Sequence, residues 1–525
     1  MRIQSHMTHK FSQVPQADIP RSVFDRTHGH KTTFDAGYLI PVFVDEALPG
    51  DTFNLDMTFF ARLATPIFPI MDNMFLDTFF FAVPNRLVWS NWEKFNGEQN
   101  NPGDSTDFLV PKITSTATTG YVNGSIFDYF GLPTQVAGYD HSALPLRAYN
   151  LIYNEWFRDE NLQNSLTVNT GDGPDLPTTY ALQRRGKRHD YFTSALPWPQ
   201  KGPSISLPLG TVAPVVTTGA NPTVSDVAGT WTRSWRGGLT SGSSFGSETA
   251  TGTIANLKWA TTGMQADLSA ATAATINQLR QSFQIQKIYE RDARGGTRYT
   301  EIILSHFGVK SPDARLQRPE YLGGGSSPVI INPIAQTSST DGTSPQGNLA
   351  AMGTVHGRNH GFTKSFTEHC IVIGLICVRA DLTYQKGLDR MWSRSTRWDF
   401  YWPALSHIGE QAVLNKEIYT QGTANPTQDA AAFGYQERYA EYRYKPSLIT
   451  GQFRSNFAQT LDKWHLSQNF TSLPVLNSTF IQETPPLDRV TAVPSYPDFL
   501  LDSLFKYRCA RPMPVYSVPG LIDHF

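Results

Sequence analysis

The chain has 525 residues, a formal net charge of −1, and 17% charged residues against about 25% in typical soluble domains. A near-neutral chain does not neutralise a packaged nucleic acid by bulk charge, which takes a strongly basic protein. Its three cysteines, Cys370, Cys377 and Cys509, give no disulfide framework. Aromatics at 12%, with 35 Pro and 40 Gly, fit a loop-rich β protein whose surface is covered by neighbours, or one large loop-rich enzyme.

Residues 1–36 are polar and weakly patterned and read as an N-terminal arm. His6, His9, His28 and His30 lack zinc-type spacing there and read as surface histidines of a mobile arm. Residues 37–202 read as the first part of a β framework. Strands are expected over 37–48, 52–63 and 74–83, with Pro49-Gly50-Asp51 as the first tight turn. In the second strand Phe53, Leu55, Met57, Phe59, Ala61 and Leu63 alternate with Asn54, Asp56, Thr58 and Arg62, and only Phe60 breaks the period of two. Met74–Val83 is almost continuously apolar, as a strand covered on both faces is. A helix is expected over 144–161, where Leu146, Tyr149, Ile152, Tyr153, Trp156 and Phe157 share one face and Ser142 offers a cap.

Arg184, Arg185, Lys187 and Arg188, beside His189, form the densest basic patch. It serves either phosphate contact with DNA or ion pairing within and between chains. Arg291, Arg294, Arg298, Arg315 and Arg318 form a looser group open to the same two readings.

Residues 203–275 differ from their surroundings. They are rich in Ser, Thr and Gly, yet hold Trp231, Trp235, Phe245 and Trp259, which a pure linker seldom does. An exposed β-rich insertion is expected. Its hydroxyls, Ser243 among them, can hydrogen-bond glycans, and its Trp and Phe245 rings can stack on sugars or form a small core. Gly242-Ser243-Ser244-Phe245-Gly246 matches a nucleophile elbow but lacks the strand and helix that motif needs.

Helical patterns return at 273–294 and 298–307, inside a long connection between strands. Residues 276–483 read as the second part of the framework. Gly323-Gly324-Gly325 has no phosphate-loop lysine and reads as a flexible turn. Cys370–Val378 reads as a central strand. Its two cysteines, seven apart, face opposite sides and cannot pair with each other. His356, His360 and His369 form no recognisable cluster. Residues 484–525 are proline-punctuated and read as an extended tail that wraps a neighbour or clamps its own sandwich. The first residues lack a secretory core, and the longest apolar run, Ile371–Val378, is too short to span a bilayer.

Several long blocks carry a family resemblance: Asp35–Trp89, LPLRAYNLIYNEWFRDENL, RRGKRHDYFTSALPWPQKG, YERDARGGTRYTEIILSHFGVKSPDARLQRPEYLGG and the C-terminal VYSVPGLIDHF. In this order they resemble the major capsid protein of microviruses, small single-stranded DNA bacteriophages, and most closely the gokushovirus branch. The pattern of strands and the resemblance together predict a mainly β fold: an eight-stranded antiparallel viral jelly roll whose long loop insertions carry a few helices. The resemblance implies pentamers assembling into an icosahedral T=1 shell around circular single-stranded DNA, with the 203–275 insertion as a three-fold protrusion for host attachment. The implied partners are further copies of the chain, the packaged DNA, a small basic DNA-binding phage protein, scaffolding and pilot proteins, and a host-surface receptor such as a glycan. No membrane span, cofactor, metal or catalytic residue is expected. Assembly is expected in the bacterial cytoplasm and residence in the virion. The residues alone also leave open a carbohydrate-binding or carbohydrate-active all-β protein, which the many Trp and the Ser/Thr-rich insert would suit.

Overall fold

The computed structural model describes residues 20–199, 276–296, 298–309, 317–340 and 345–516, together with five short strands between 215 and 266. Two compact units are present, one formed by 1–199 with 295–525 and the other by 200–294.

In the first unit two antiparallel sheets face each other. The elements used below are β1 (Arg21–Asp25), β2 (His28–Phe34), β3 (Ile40–Ala47), β4 (Thr52–Leu63), β5 (Met74–Pro84), β6 (Glu320–Pro328), β7 (Ile330–Ala335), β8 (Leu349–Ser365), β9 (Cys370–Ala380) and β10 (Phe499–Pro512). One sheet runs β7-β8-β4-β10, with β1 and β2 both pairing along the far edge of β10; the other runs β6-β5-β9-β3. Every pairing is antiparallel. This is the jelly roll, with the long connections β5-to-β6 and β9-to-β10 carrying the insertions.

The period of two decides which side chains meet. Phe53, Leu55, Met57, Phe59, Ala61 and Leu63 of β4 all enter the core between the sheets, while Phe60, the residue that breaks the pattern, faces outward and is half exposed. Strands β5 and β9 are covered on both faces, as their continuous apolar runs require. Leu76, Phe80, Ala82, Cys370, Val372, Ile376 and Val378 fill the inter-sheet core. Phe81, Val83, Ile371, Ile373, Leu375 and Cys377 enter a second core. There they pack with Leu146, Tyr149 and Ile152 of α1 (Leu144–Ile152). Cys370 and Cys377 therefore lie in different cores, and all three thiols are free and buried.

Three expectations need correction, and of the two readings of the tail the fold takes the second, a clamp on its own sandwich. The segment read as an arm already contains β1 and β2, so His28 and His30 sit on a paired strand, with His28 stacked against Phe43 and Phe505. The tail supplies β10, a 14-residue strand at the centre of its sheet, with Phe499, Leu501, Phe505, Tyr507 and Cys509 buried on one face. Gly323-Gly324-Gly325 is not a turn but lies within β6. A Cβ on Gly323 would sit 2.5 Å from the Gly361 carbonyl oxygen and one on Gly325 2.8 Å from the His360 ring, so the glycines let one sheet edge lie directly on β8. The helix expected to Asn161 is α-helical only to Ile152 and then widens into a π turn at Tyr153–Phe157. Ser142 Oγ accepts the Leu144 N–H at 3.3 Å.

The second unit contains all but the last residue of α2 (Ile276–Gly295) and the five short strands, three of them forming one antiparallel sheet and two another. Back in the first unit, α3 (Tyr299–Phe307) follows. It ends at Gly308, whose φ of 70° is the left-handed cap that glycine adopts without a side-chain clash. No helix among the described residues is long and apolar enough to cross a membrane.

Candidate functional site: a basic loop and an aromatic surface

The basic loop follows Leu182 and runs between the segment that leads into β3 and the Ile481–Glu483 segment, with bridges Tyr38–Arg184 and Gly186–Gln482. Its backbone is fixed on both sides, with Arg185 N–H donating to Gly37 O at 2.8 Å and Lys187 N–H to Ile481 O at 2.7 Å. Gly37 holds φ at 85°, and a Cβ there would lie 2.1 Å from Glu483 O, so this crossing of three chain segments requires glycine.

The four basic side chains then divide. Arg184 lies 3.9 Å above the Tyr38 ring and donates to the Ala36 and Glu483 carbonyls at 3.3 and 3.1 Å. Arg185 meets Asp77 Oδ2 at 2.5 Å and stacks 5.0 Å over Phe79. Asp77 Oδ2 also accepts from Arg379 at 2.8 Å, so one buried carboxylate bridges two guanidinium groups. Burial pushes the Asp77 carboxyl up, but hydrogen bonds from Ser326, Arg185 and Arg379 outweigh it and hold the group below its ordinary value. Lys187 is buried, donates to Gln468 at 3.1 Å and lies 4.6 Å from the Phe480 ring. Burial pulls its ammonium down to about 8, against the attraction of Glu483 and Asp190. Arg188 alone of the four is exposed, with a loose 3.5 Å contact to Asp381.

The looser arginine group is partly accounted for in the same way. Arg298 gathers Glu155, Glu160 and Glu301 at 3.6, 2.5 and 3.0 Å, and Arg318 lies 4.8 Å over Trp156. His360, between Thr78 at 2.8 Å and Ser327 at 3.1 Å, is a buried framework histidine. Of the insertion residues, Trp231, Trp235, Ser243 and Phe245 lie outside the described residues, as does the G-x-S-x-G match. Trp259 belongs to the strand Leu257–Thr261.

A second surface has no periodic signal in the sequence. Trp392, Trp398, Phe400, Tyr401, Trp402 and Tyr442 are 41% to 71% exposed, within two neighbouring segments of the β9-to-β10 connection. They are held in place rather than loosely displayed. Arg390 donates to Ala412 O at 2.7 Å and to the buried Glu417 at 3.1 Å, and Arg394 reaches Glu441 at 3.5 Å. Above that base Arg394 stacks on Tyr442 at 4.3 Å, and Arg397 covers Trp398 at 4.5 Å and Trp402 at 5.1 Å. Trp402 Nε1–H donates to Arg397 O at 2.9 Å, and Tyr401 N–H to the Tyr442 hydroxyl at 3.3 Å. The signal available in the sequence was the run MWSRSTRWDFYW, dense in Trp and Arg without strand or helix period.

No group of three or more His, Cys, Asp or Glu that could hold a metal ion occurs among the described residues. What both surfaces can do is bind: cations and stacking faces for phosphate and bases, or a rigid aromatic surface for protein. A family model described as capsid protein (F protein) matches residues 12–521. The chain is 53% identical to capsid protein VP1 of Bdellovibrio phage phiMH2K, over 99% of both chains. It is 49% identical to capsid protein VP1 of Chlamydia phage 1, again over 99% of both. Against capsid protein VP1 of Spiroplasma virus 4 it is 38% identical, over 98% of this chain and 97% of the other.

Proposed function

The chain belongs to the capsid protein (F protein) family of the microviruses, and from that premise we propose that its copies self-assemble, through pentamers, into a small icosahedral shell around circular single-stranded DNA. It is a major capsid protein of the gokushovirus type, located in the virion, and a structural protein rather than an enzyme. The observation that carries the assembly reading is the end-to-end match to two proteins named capsid protein VP1, which leaves no large part of either chain without a counterpart. A net charge of −1 supports a separate small basic protein as the main DNA neutraliser, with scaffolding and pilot proteins as further assembly partners.

Genome contact by this chain is then sparse. Arg184, Arg185 and Lys187 already serve carbonyls, Asp77 and Gln468, which leaves Arg188 as the member of the loop best placed for phosphate. For the insertion at 203–275 the proposal is an outward protrusion that recognises the host surface, its tip near Thr240–Thr253 meeting a receptor of glycan type. The hydroxyl-rich, Trp-bearing composition supports this.

The test is to replace residues 240–253 with a short Gly/Ser loop and measure particle yield, DNA content and adsorption to host cells. The expected result is normal, DNA-filled particles that adsorb poorly. Normal adsorption moves receptor recognition elsewhere, and failure to form particles makes the insertion part of the shell itself.

A further inference from the structure

We infer that the aromatic surface around Trp398 is one half of a contact between copies of this chain, and that its counterpart is the acidic loop Asn91–Leu109 of the adjacent copy. The inference rests on the assembly reading above and adds to it a specific pair of faces.

Large aromatic side chains present about 150–250 Å² each, so six of them at roughly half exposure, with Met391 and Tyr444 beside them, leave on the order of 800 Å² of contact surface. One side of a standard specific interface buries about 800 Å², and a patch this size is unusual on a monomer. Its Trp, Tyr and Arg are the residues of interface hot spots, and Met is enriched in interfaces as well. The pinning of Arg390 and Arg394 to buried Glu417 and Glu441 means the rings lose little freedom on binding.

Charge selects the occupant. Arg397 sits on top of the rings with no carboxylate partner among the described residues, whereas the exposed Arg443 and Lys445 are already paired with Glu437 and Asp389, so Arg397 is the charge the partner must meet. The Asn91–Leu109 loop has the opposite character. Glu93, Glu98 and Asp107 are exposed and have no cationic partner among the described residues, while Phe95 and Leu109 expose apolar surface next to them. A contact between two different faces of the same chain is heterologous, the type that closes rings of subunits. Single-stranded DNA is the competing occupant, because bases stack on aromatic faces. Here, however, Arg397 already covers the faces of Trp398 and Trp402, which favours packing of ring edges against protein.

The experiment uses full-length chains expressed under conditions in which the wild type forms particles. Arg397→Glu alone and the pair Glu98→Arg with Asp107→Arg are each expected to lower particle yield at least tenfold, with the soluble subunit's unfolding midpoint unchanged. All three substitutions in one chain should restore at least half of the wild-type yield. Failure of that rescue overturns the pairing. Normal particle yield from Arg397→Glu and Trp398→Ala also overturns it, and if those particles have lost DNA the surface belongs to the genome instead.

A second measurement does not depend on weakened variants. The native thiols are buried, so Trp392→Cys with Glu98→Cys gives two reactive sites per chain. A bis-maleimide applied to such particles should give a ladder of linked chains beyond the dimer, and Trp392→Cys alone should give none. Dimers from the single variant would mean that the surface meets itself, against the inference. Absence of any particles from the wild type would sink the shell reading itself, an outcome distinct from all of these.

Discussion

Arg185→Gln separates a framework role for the basic loop from a genome-binding one. The substitution removes the 2.5 Å contact to Asp77 and the stacking over Phe79, while Arg379 keeps its own bond to the same carboxylate. A hydrogen bond to a charged group contributes about 1.5–3 kcal/mol, and the guanidinium–ring contact adds less than about 1 kcal/mol. Arg185 is 22% exposed, so the lower half of that range applies and the expected loss is about 2 kcal/mol. That is a sizeable part of the roughly 5–15 kcal/mol that holds a domain folded.

Arg188→Gln should shift stability by less than about 0.5 kcal/mol, since its carboxylate is 3.5 Å away and its side chain 58% exposed. Urea unfolding of unassembled subunits, followed by Trp fluorescence, reads both. DNA per particle is measured by absorbance ratio on the same variants. The acid limb gives a further check. Because the folded-state value of Asp77 lies below its unfolded value, its contribution is complete above about pH 4 and is lost as the pH falls through the folded value. Arg185→Gln therefore lowers the plateau above pH 4 and brings acid unfolding to a higher pH. An unchanged urea midpoint combined with reduced DNA content would refute this reasoning and place Arg185 on the genome.

Arg147 and Asp175 form a fully buried pair with two 2.7 Å bonds, and Asp175 also accepts from Tyr180 and Asn169, each at 2.6 Å. Asp175→Ala should cost about 3–5 kcal/mol by leaving a buried guanidinium unpaired, and a cycle with Arg147→Met should show strong coupling in urea unfolding; additive losses would contradict it. Gly361→Ala places a Cβ 1.9 Å from the Leu55 carbonyl oxygen, so stability should fall by the upper end of about 1–3 kcal/mol, read as a lowered melting temperature. Burial, with Asp35 and Asp488 nearby, pushes Asp498 up to about 6, despite the Ala36 N–H it accepts. Its folded value exceeds its unfolded one, so the subunit gains stability from this group as the pH falls from above 6 towards 4. Asp498→Asn should flatten that segment of the curve, and an unchanged slope would contradict the assignment.

Much of the framework was legible because both sheets obey a strict period. The alternation in Thr52–Leu63 and the unbroken apolar runs in β5 and β9 name their own burial, down to the outward Phe60 and the opposed Cys370 and Cys377. The tail shows its role in the sandwich less directly, because Pro494, Pro497, Pro512 and Pro514 flank a proline-free stretch in which Phe499, Leu501, Phe505, Tyr507 and Cys509 keep the period. The glycines of β6 were missed because their reason is a close approach of two sheets, which sequence spacing does not show. The basic loop was visible as charge, but its division was not. Asp77, Gln468 and Glu483 come to it from distant parts of the chain. The aromatic surface has a signal in composition and none in period, because its rings are set by ion pairs and short turns instead of by a strand or helix.

Whether this chain builds a shell is read from the size and shape of the purified native material. A shell protein gives megadalton, DNA-containing icosahedral particles of uniform diameter, with interfaces between chains burying at least about 1,000 Å² each. Material that stays monomeric or forms only small oligomers under conditions in which the subunit is folded would contradict that role.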